Sequence, residues 1–208
     1  MMDYRLHGDE AERALRAFDV AAERLDPFDF VPSEGATARI ATLGPFYLRP
    51  AEWTAMAASS DVEHVVLVNL NTNGEVFREN CWGVEVGDYP FEKLKHDERW
   101  NGIGQSAVAS PDGTWVLVIS NEGHGVISGQ SEFVSKLAKR LRGDKDPLFD
   151  LVERIFIGRP EKADADARLL EMVSRLYGWE KARRVINELG IDPHLLGNAP
   201  EDRSGGTA

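Results

Sequence analysis

Cys81 and His124 are the two residues of this chain whose types make a nucleophile and its base. A thiolate attacks a carbonyl or phosphoryl centre when a base lies within hydrogen-bond reach and a third group, an Asn or an acid, orients that base. Cys81 stands between Asn80 and Trp82 on a predicted strand, and His124 stands in the Gly-flanked segment NEGHGVISG. Brought together, they would serve a small hydrolase or transferase with an acid from a neighbouring strand. The competing reading is that a lone cysteine on a strand is a small buried apolar residue.

Other chemistries find less support. The histidines are His7, His64, His96, His124 and His194, with no HExxH and no CxxC, so neither a zinc site nor any other cofactor is expected. His96-Asp97-Glu98 is a partial ligand set that reads better as a solvated loop. Gly102-Ile103-Gly104 and Gly123-His124-Gly125 are Gly-x-Gly fragments, but neither continues as a phosphate-binding motif. With 35 Asp and Glu, chance carboxylate pairs abound and no spacing singles one out for acid–base work. RRVINELGIDPHLLGN follows helix-turn-helix order, yet its second segment carries no Lys or Arg and is hemmed by Pro193 and Pro200.

A recognition surface is the remaining candidate. Trp100 stands in HDERWNGIGQ beside Asp97 and Glu98, and Tyr89 and Phe91 lie just upstream in VGDYPFEKL. An aromatic ring among acids suits an anchor for a basic partner, because interface hot spots favour Trp and Tyr. The binding candidates are therefore Tyr89, Asp97, Glu98 and Trp100. The alternative is that these rings cover a sheet edge or cap a core, as Trp82 and Trp115, inside strands, are expected to do.

The charge distribution bears on the partner. The formal net charge is -11, and residues 1–130 hold 21 acids against 10 bases whereas residues 131–208 hold 14 of each. A surface of that sign repels phosphate backbones and anionic lipid, so neither nucleic acid nor a membrane is expected as a partner. It speeds encounter with a basic protein, an effect that fades as salt rises. The bland account is that acidity keeps the chain soluble.

The elements that must position these residues follow from periodicity. Residues 9–26 place Ala11, Ala14, Leu15, Phe18, Ala22 and Leu25 on one stripe, which predicts an amphipathic helix stopped by Pro27. ARIATLG (38–44) alternates like a strand, and Pro50 opens a short helix, PAEWTAMAAS. HVVLVNLN (64–71) reads as an interior strand, with Asn73-Gly74 turning the chain into a second strand over 75–87. Gly83 within it suggests a bulge or a close approach by another part of the chain. Pro111-Asp112-Gly113 and Asn121-Glu122-Gly123 turn QSAVAS into TWVLVIS and that into HGVISG. Helical periodicity then holds over 131–143, 146–158, ADADARLLEMVSRLY and WEKARRVINELG, with breaks at Gly143, Gly178 and Gly190.

These patterns predict an α+β fold: a mainly antiparallel sheet of five or six strands, flanked by an N-terminal helix and a C-terminal helical segment. An acidic α+β domain is expected over 1–145, a helical extension packing on it over 146–191, and a mobile tail over 192–208. One cysteine allows no internal disulfide, and the N-terminus lacks a secretory pattern, so a cytoplasmic location is expected. A small acidic α+β chain with no complete catalytic set resembles, in type, the bacterial immunity and inhibitor proteins that neutralise basic toxins. The resemblance implies a non-catalytic binding protein, acting through its acidic surface on a basic protein partner. The alternative is the Cys81–His124 enzyme.

Overall fold

The computed structural model describes residues 5–70, 75–96, 100, 104–141, 146–156 and 163–191. They form an α+β chain that divides into two compact units, Met1–Pro147 and Leu148–Ala208.

In the first unit, six strands build one sheet: β3 (Thr37–Thr42), β4 (His64–Leu70), β5 (Val76–Glu85), β6 (Gln105–Ala109), β7 (Trp115–Ile119) and β8 (His124–Gly129). Their spatial order is β3-β8-β7-β6-β4-β5, and every neighbouring pair is antiparallel. Tight turns make β7 and β8 neighbours of the strand before them. β6, by contrast, lies on the far side of β4 from β5, so β4 is paired on both edges. That explains the unbroken apolar run of β4: all of Val65–Leu70 is buried.

Alternation along the strands sends side chains to two faces, and each face has its own cover. Val65, Leu67, Trp82, Val84, Val108, Leu117, Ile119 and Ile127 share one core with residues of three helices. These are Trp53 and Met56 of α2 (Pro50–Ala57), Phe91 and Leu94 of α3 (Phe91–Leu94), and Phe133, Val134 and Leu137 of α4 (Ser131–Leu141). The opposite face, which carries Val68, Cys81, Ala107, Val118 and Val126 in registered rows, packs against α1 (Gly8–Ala21). The buried positions of α1 are Ala11, Ala14, Ala17, Phe18 and Ala21. Alanine at four of the five lets the helix lie close on the sheet.

α1 is shorter than the periodicity predicts. It ends at Ala21, because Ala22 turns extended and β1 (Ala22–Arg24) pairs with β2 (Val31–Pro32) in a separate two-stranded sheet. Ala22 and Leu25 are buried as the helical stripe requires, but from strand and loop positions. Gly83 interrupts no ladder, since the register runs unbroken from Val65–Val84 to Val68–Cys81. It marks a close approach: a Cβ there would stand 3.0 Å from Leu6 Cδ2, where the N-terminal segment lies beside β5 and the Leu6 amide donates to the Cys81 carbonyl at 2.9 Å.

In the second unit, α5 (Pro147–Phe156) enters from the boundary, and α6 (Ala163–Tyr177) packs against α7 (Trp179–Leu189). Gly178 separates these two helices, and Gly190 closes α7 in the left-handed conformation. The Asn73-Gly74 turn and the 192–208 tail lie outside the described residues.

Candidate functional site

Register places the predicted nucleophile and base apart. Cys81 pairs with Val68 on β4, and His124 pairs with Thr42 on β3. Both side chains belong to the α1 face, but four inter-strand steps lie between β5 and β8. At roughly 4.8 Å per step this is about 19 Å, far beyond hydrogen-bond reach. Cys81 is also 1% exposed, and burial pushes its thiol up to about 12, which suppresses the thiolate at neutral pH.

His124 instead meets Ser120, a residue that the sequence reading passed over. The two close the β7–β8 turn, with the Ser120 amide donating to the His124 carbonyl at 2.9 Å. Ser120 Oγ and His124 Nδ1 are 2.8 Å apart, and Nε2 lies 3.2 Å from the Pro27 carbonyl oxygen. A carbonyl can only accept, so Nε2 carries the proton, and in the neutral imidazole the Ser120 hydroxyl donates to Nδ1. Ser120 Oγ in turn accepts from the amides of Glu122 and His124. The Phe28 ring meets the imidazole edge-on at 4.8 Å.

A hydroxyl on an imidazole nitrogen has the outline of a nucleophile and base. Here, however, Ser120 is fully buried, and the group that orients the imidazole belongs to the segment that covers it. Moving that segment aside to admit a substrate would strip His124 of its orienting bond. The pair ties the Leu25–Phe30 connection onto the sheet. The spacing Ser120–His124 around a Gly turn was the available signal. Reading it required knowing that both ends of the turn face the same side.

The aromatic candidates converge, though below the surface. Trp100 is 6% exposed and belongs to the core under α2, α3 and α4. Its ring meets Trp82 at 5.2 Å and Phe91 at 5.4 Å, both edge-on. Phe91 continues the chain of rings to Tyr89 at 5.7 Å and to Tyr47 at 5.3 Å. The capping alternative thus describes the placement of Trp100, and a Trp100→Ala change tests packing rather than recognition. Tyr89 is half-buried and donates its hydroxyl to the Leu48 carbonyl at 2.9 Å. Burial first, then the proximity of Tyr47, Glu92 and Glu52, pushes its phenol up to about 12. Asp97 and Glu98 lie outside the described residues.

Among the described acids near this cluster, Asp88 is paired with Lys93 at 3.2 Å and Glu92 with Lys95. Exposed carboxylates gather instead where β4 begins and β5 ends. Asp61, Glu63 and Glu85 are all exposed there, and the exposed His64 pairs in register with Glu85. Alternation along the paired strands places Glu85, beside His64, on the opposite face of the sheet from Glu63, and the Asp61 charge acts on Lys136.

The loop between β3 and α2 is held from several sides. The buried Glu52 carboxylate accepts from the Gly44 amide at 2.9 Å and from the Arg49 amide at 2.7 Å. It also binds the Arg49 guanidinium, whose pKa it raises by hydrogen bond and by charge. Within the loop, Phe46 has φ 71°, a left-handed conformation that costs a bulky residue of order 1–3 kcal/mol. Pro45 followed by the positive φ of Phe46 has the sign pattern of a type II turn, with Phe where Gly is favoured.

No group of three or more His, Cys, Asp or Glu among the described residues is arranged to hold a metal ion. Nor is any helix among them long and apolar enough to cross a membrane. Comparison with models of protein families, with curated proteins and with solved structures found no match.

Proposed function

We propose that the protein is a non-catalytic binding protein that engages a basic protein partner through the acidic surface of its sheet unit, in the manner of an inhibitor or immunity protein. The observation that carries this reading is the excess of negative charge, all of it within residues 1–130, with Asp61, Glu63 and Glu85 exposed about the start of β4 and the end of β5. A basic partner would neutralise that charge and gain in encounter rate from the field around it. The four strand steps, about 19 Å, between Cys81 and His124, and the suppressed thiolate, weigh against the rival enzyme.

Affinity capture from a cell lysate at low salt tests the reading when run beside the variant Glu63→Lys/Glu85→Lys. Both positions are exposed, so the fold should tolerate the exchange. The expected result is one basic protein held stoichiometrically by the wild type, released as salt rises and not held by the variant. An empty capture, or a partner retained equally by the variant, would overturn it.

A further inference from the structure

Ser120 is fully buried and His124 is 3% exposed, so protein atoms must satisfy the bonds between them. Ser120 Oγ already accepts two hydrogens, from the Glu122 amide at 3.1 Å and from the His124 amide at 3.3 Å. Its own hydrogen has one acceptor among the described residues, His124 Nδ1 at 2.8 Å. Across the ring, Nε2 donates to the Pro27 carbonyl at 3.2 Å. Every one of these bonds is made by the neutral imidazole with its proton on Nε2. Charging the ring puts a hydrogen on Nδ1 as well. Ser120 Oγ would then meet three donors with two lone pairs, and its own hydrogen would have lost its acceptor. Leaving a buried hydroxyl in that condition is costly.

We infer that His124 is a pH-sensitive latch, which fastens the Leu25–Phe30 connection to the sheet while its ring is neutral and loosens it on taking up a proton. The inference stands apart from the binding role proposed above. Histidine suits such a device because its charge ordinarily changes between about pH 5 and 8. The charged groups on the surrounding elements are Glu122 in the turn, and Glu23, Arg24, Asp26 and Asp29 in and beside the connection. Asp29 is paired with Arg24, and the buried Asp26 accepts from the Phe28 amide. Arg39 of β3 lies on the other face of the sheet with its register partner Ile127, and the charged residues of α1 are exposed. Carboxylates attract an imidazolium and so oppose the latch, but they return no acceptor to the Ser120 hydroxyl. The loosened form takes its proton near the ordinary value, about 6.5, while the fastened form resists it. Closure is therefore in full force above that value and weakens as pH falls below it.

The test is an NMR titration of the His124 ring from about pH 8 to about pH 5, with amide exchange of residues 25–30 followed relative to that of β7. The wild-type ring should charge about one pH unit or more below its ordinary value, the mark of a hydroxyl left without its acceptor. Exchange in the connection should quicken as the ring charges, while β7 stays protected. Ser120→Ala removes the hydroxyl at stake, so the midpoint should move up toward the ordinary value. His124→Gln can still accept from Ser120 and donate to Pro27 without titrating, so its connection should stay closed throughout. A wild-type midpoint at or above the ordinary value would overturn the inference. So would a midpoint unmoved by Ser120→Ala, or a connection that loosens equally in His124→Gln. The wild type and Ser120→Ala decide the matter by themselves should glutamine prove too short to hold the turn.

Discussion

At the scale of single residues, burial decides what the chain's reactive groups can do. Cys81 lies in a registered row with Val68, Ala107, Val118 and Val126, under a helix that presents alanines. Burial disfavours the thiolate there, so its pKa rises to about 12. Two results should follow. Iodoacetamide at pH 8 should modify Cys81 slowly in the folded protein and rapidly in urea; fast native alkylation would return the thiol to the list of nucleophiles. The same shift links stability to pH. In the unfolded chain the thiol loses its proton near its ordinary pKa, about 8.5 to 9, while in the folded chain it keeps it up to about 12. Between those values the unfolded state binds fewer protons, so stability falls as pH rises, by up to about 1.4 kcal/mol per pH unit for this group. Tyr89, also raised to about 12, adds the same sign of dependence above pH 10. Urea unfolding of Cys81→Ala should therefore show a flatter decline between pH 9 and 10 than the wild type.

At the scale of elements, the sheet face is set by what the turns allow to approach it. Gly113 in the β6–β7 turn has φ 72°, and a Cβ there would lie 2.6 Å from the Ala17 carbonyl and 2.7 Å from Val20 Cβ. The end of α1 rests on this turn. Gly113→Ala combines a strained φ with a clash against helix backbone, and should cost about 2 kcal/mol or more by chemical unfolding. A near-neutral result would mean that α1 can shift without disturbing its contact with the sheet. This dependence also marks the limit of what the sequence expresses. Local patterns were legible: β-branched runs, Gly turns and helical stripes put β4, β6, β7, β8, α2 and α4 within a few residues of their places. The end of α1 was not, because Ala22 and Leu25 fit a helical period while β2 draws Ala22–Arg24 into a ladder. Side-chain partnerships escaped as well. Ser120 with His124 is a matter of register, and burial of Trp100 depends on Trp82 and Phe91, which only the completed sheet brings beneath it.

At the scale of the whole molecule, the charge imbalance acts on folding and on binding with opposite signs. Residues 1–130 carry a net -11, and Asp61, Glu63 and Glu85 are among its exposed acids. Holding these charges together in a folded unit costs self-repulsion that the expanded chain avoids. Salt shortens the range of that repulsion, from about 30 Å at 0.01 M to about 8 Å at 0.15 M. Raising sodium chloride across this range should therefore raise the melting temperature of the free protein by a few degrees. Glu63→Lys/Glu85→Lys removes four units of negative charge from the total and should melt higher at low salt, with a smaller response to added salt. A basic partner relieves the same repulsion from outside, so its affinity should fall over the range in which the free protein grows more stable. A melting temperature indifferent to salt would mean that the acids stand too far apart to repel, and so too far apart to act together on one cationic surface. The stability of the isolated protein thus measures the field on which partner recognition depends.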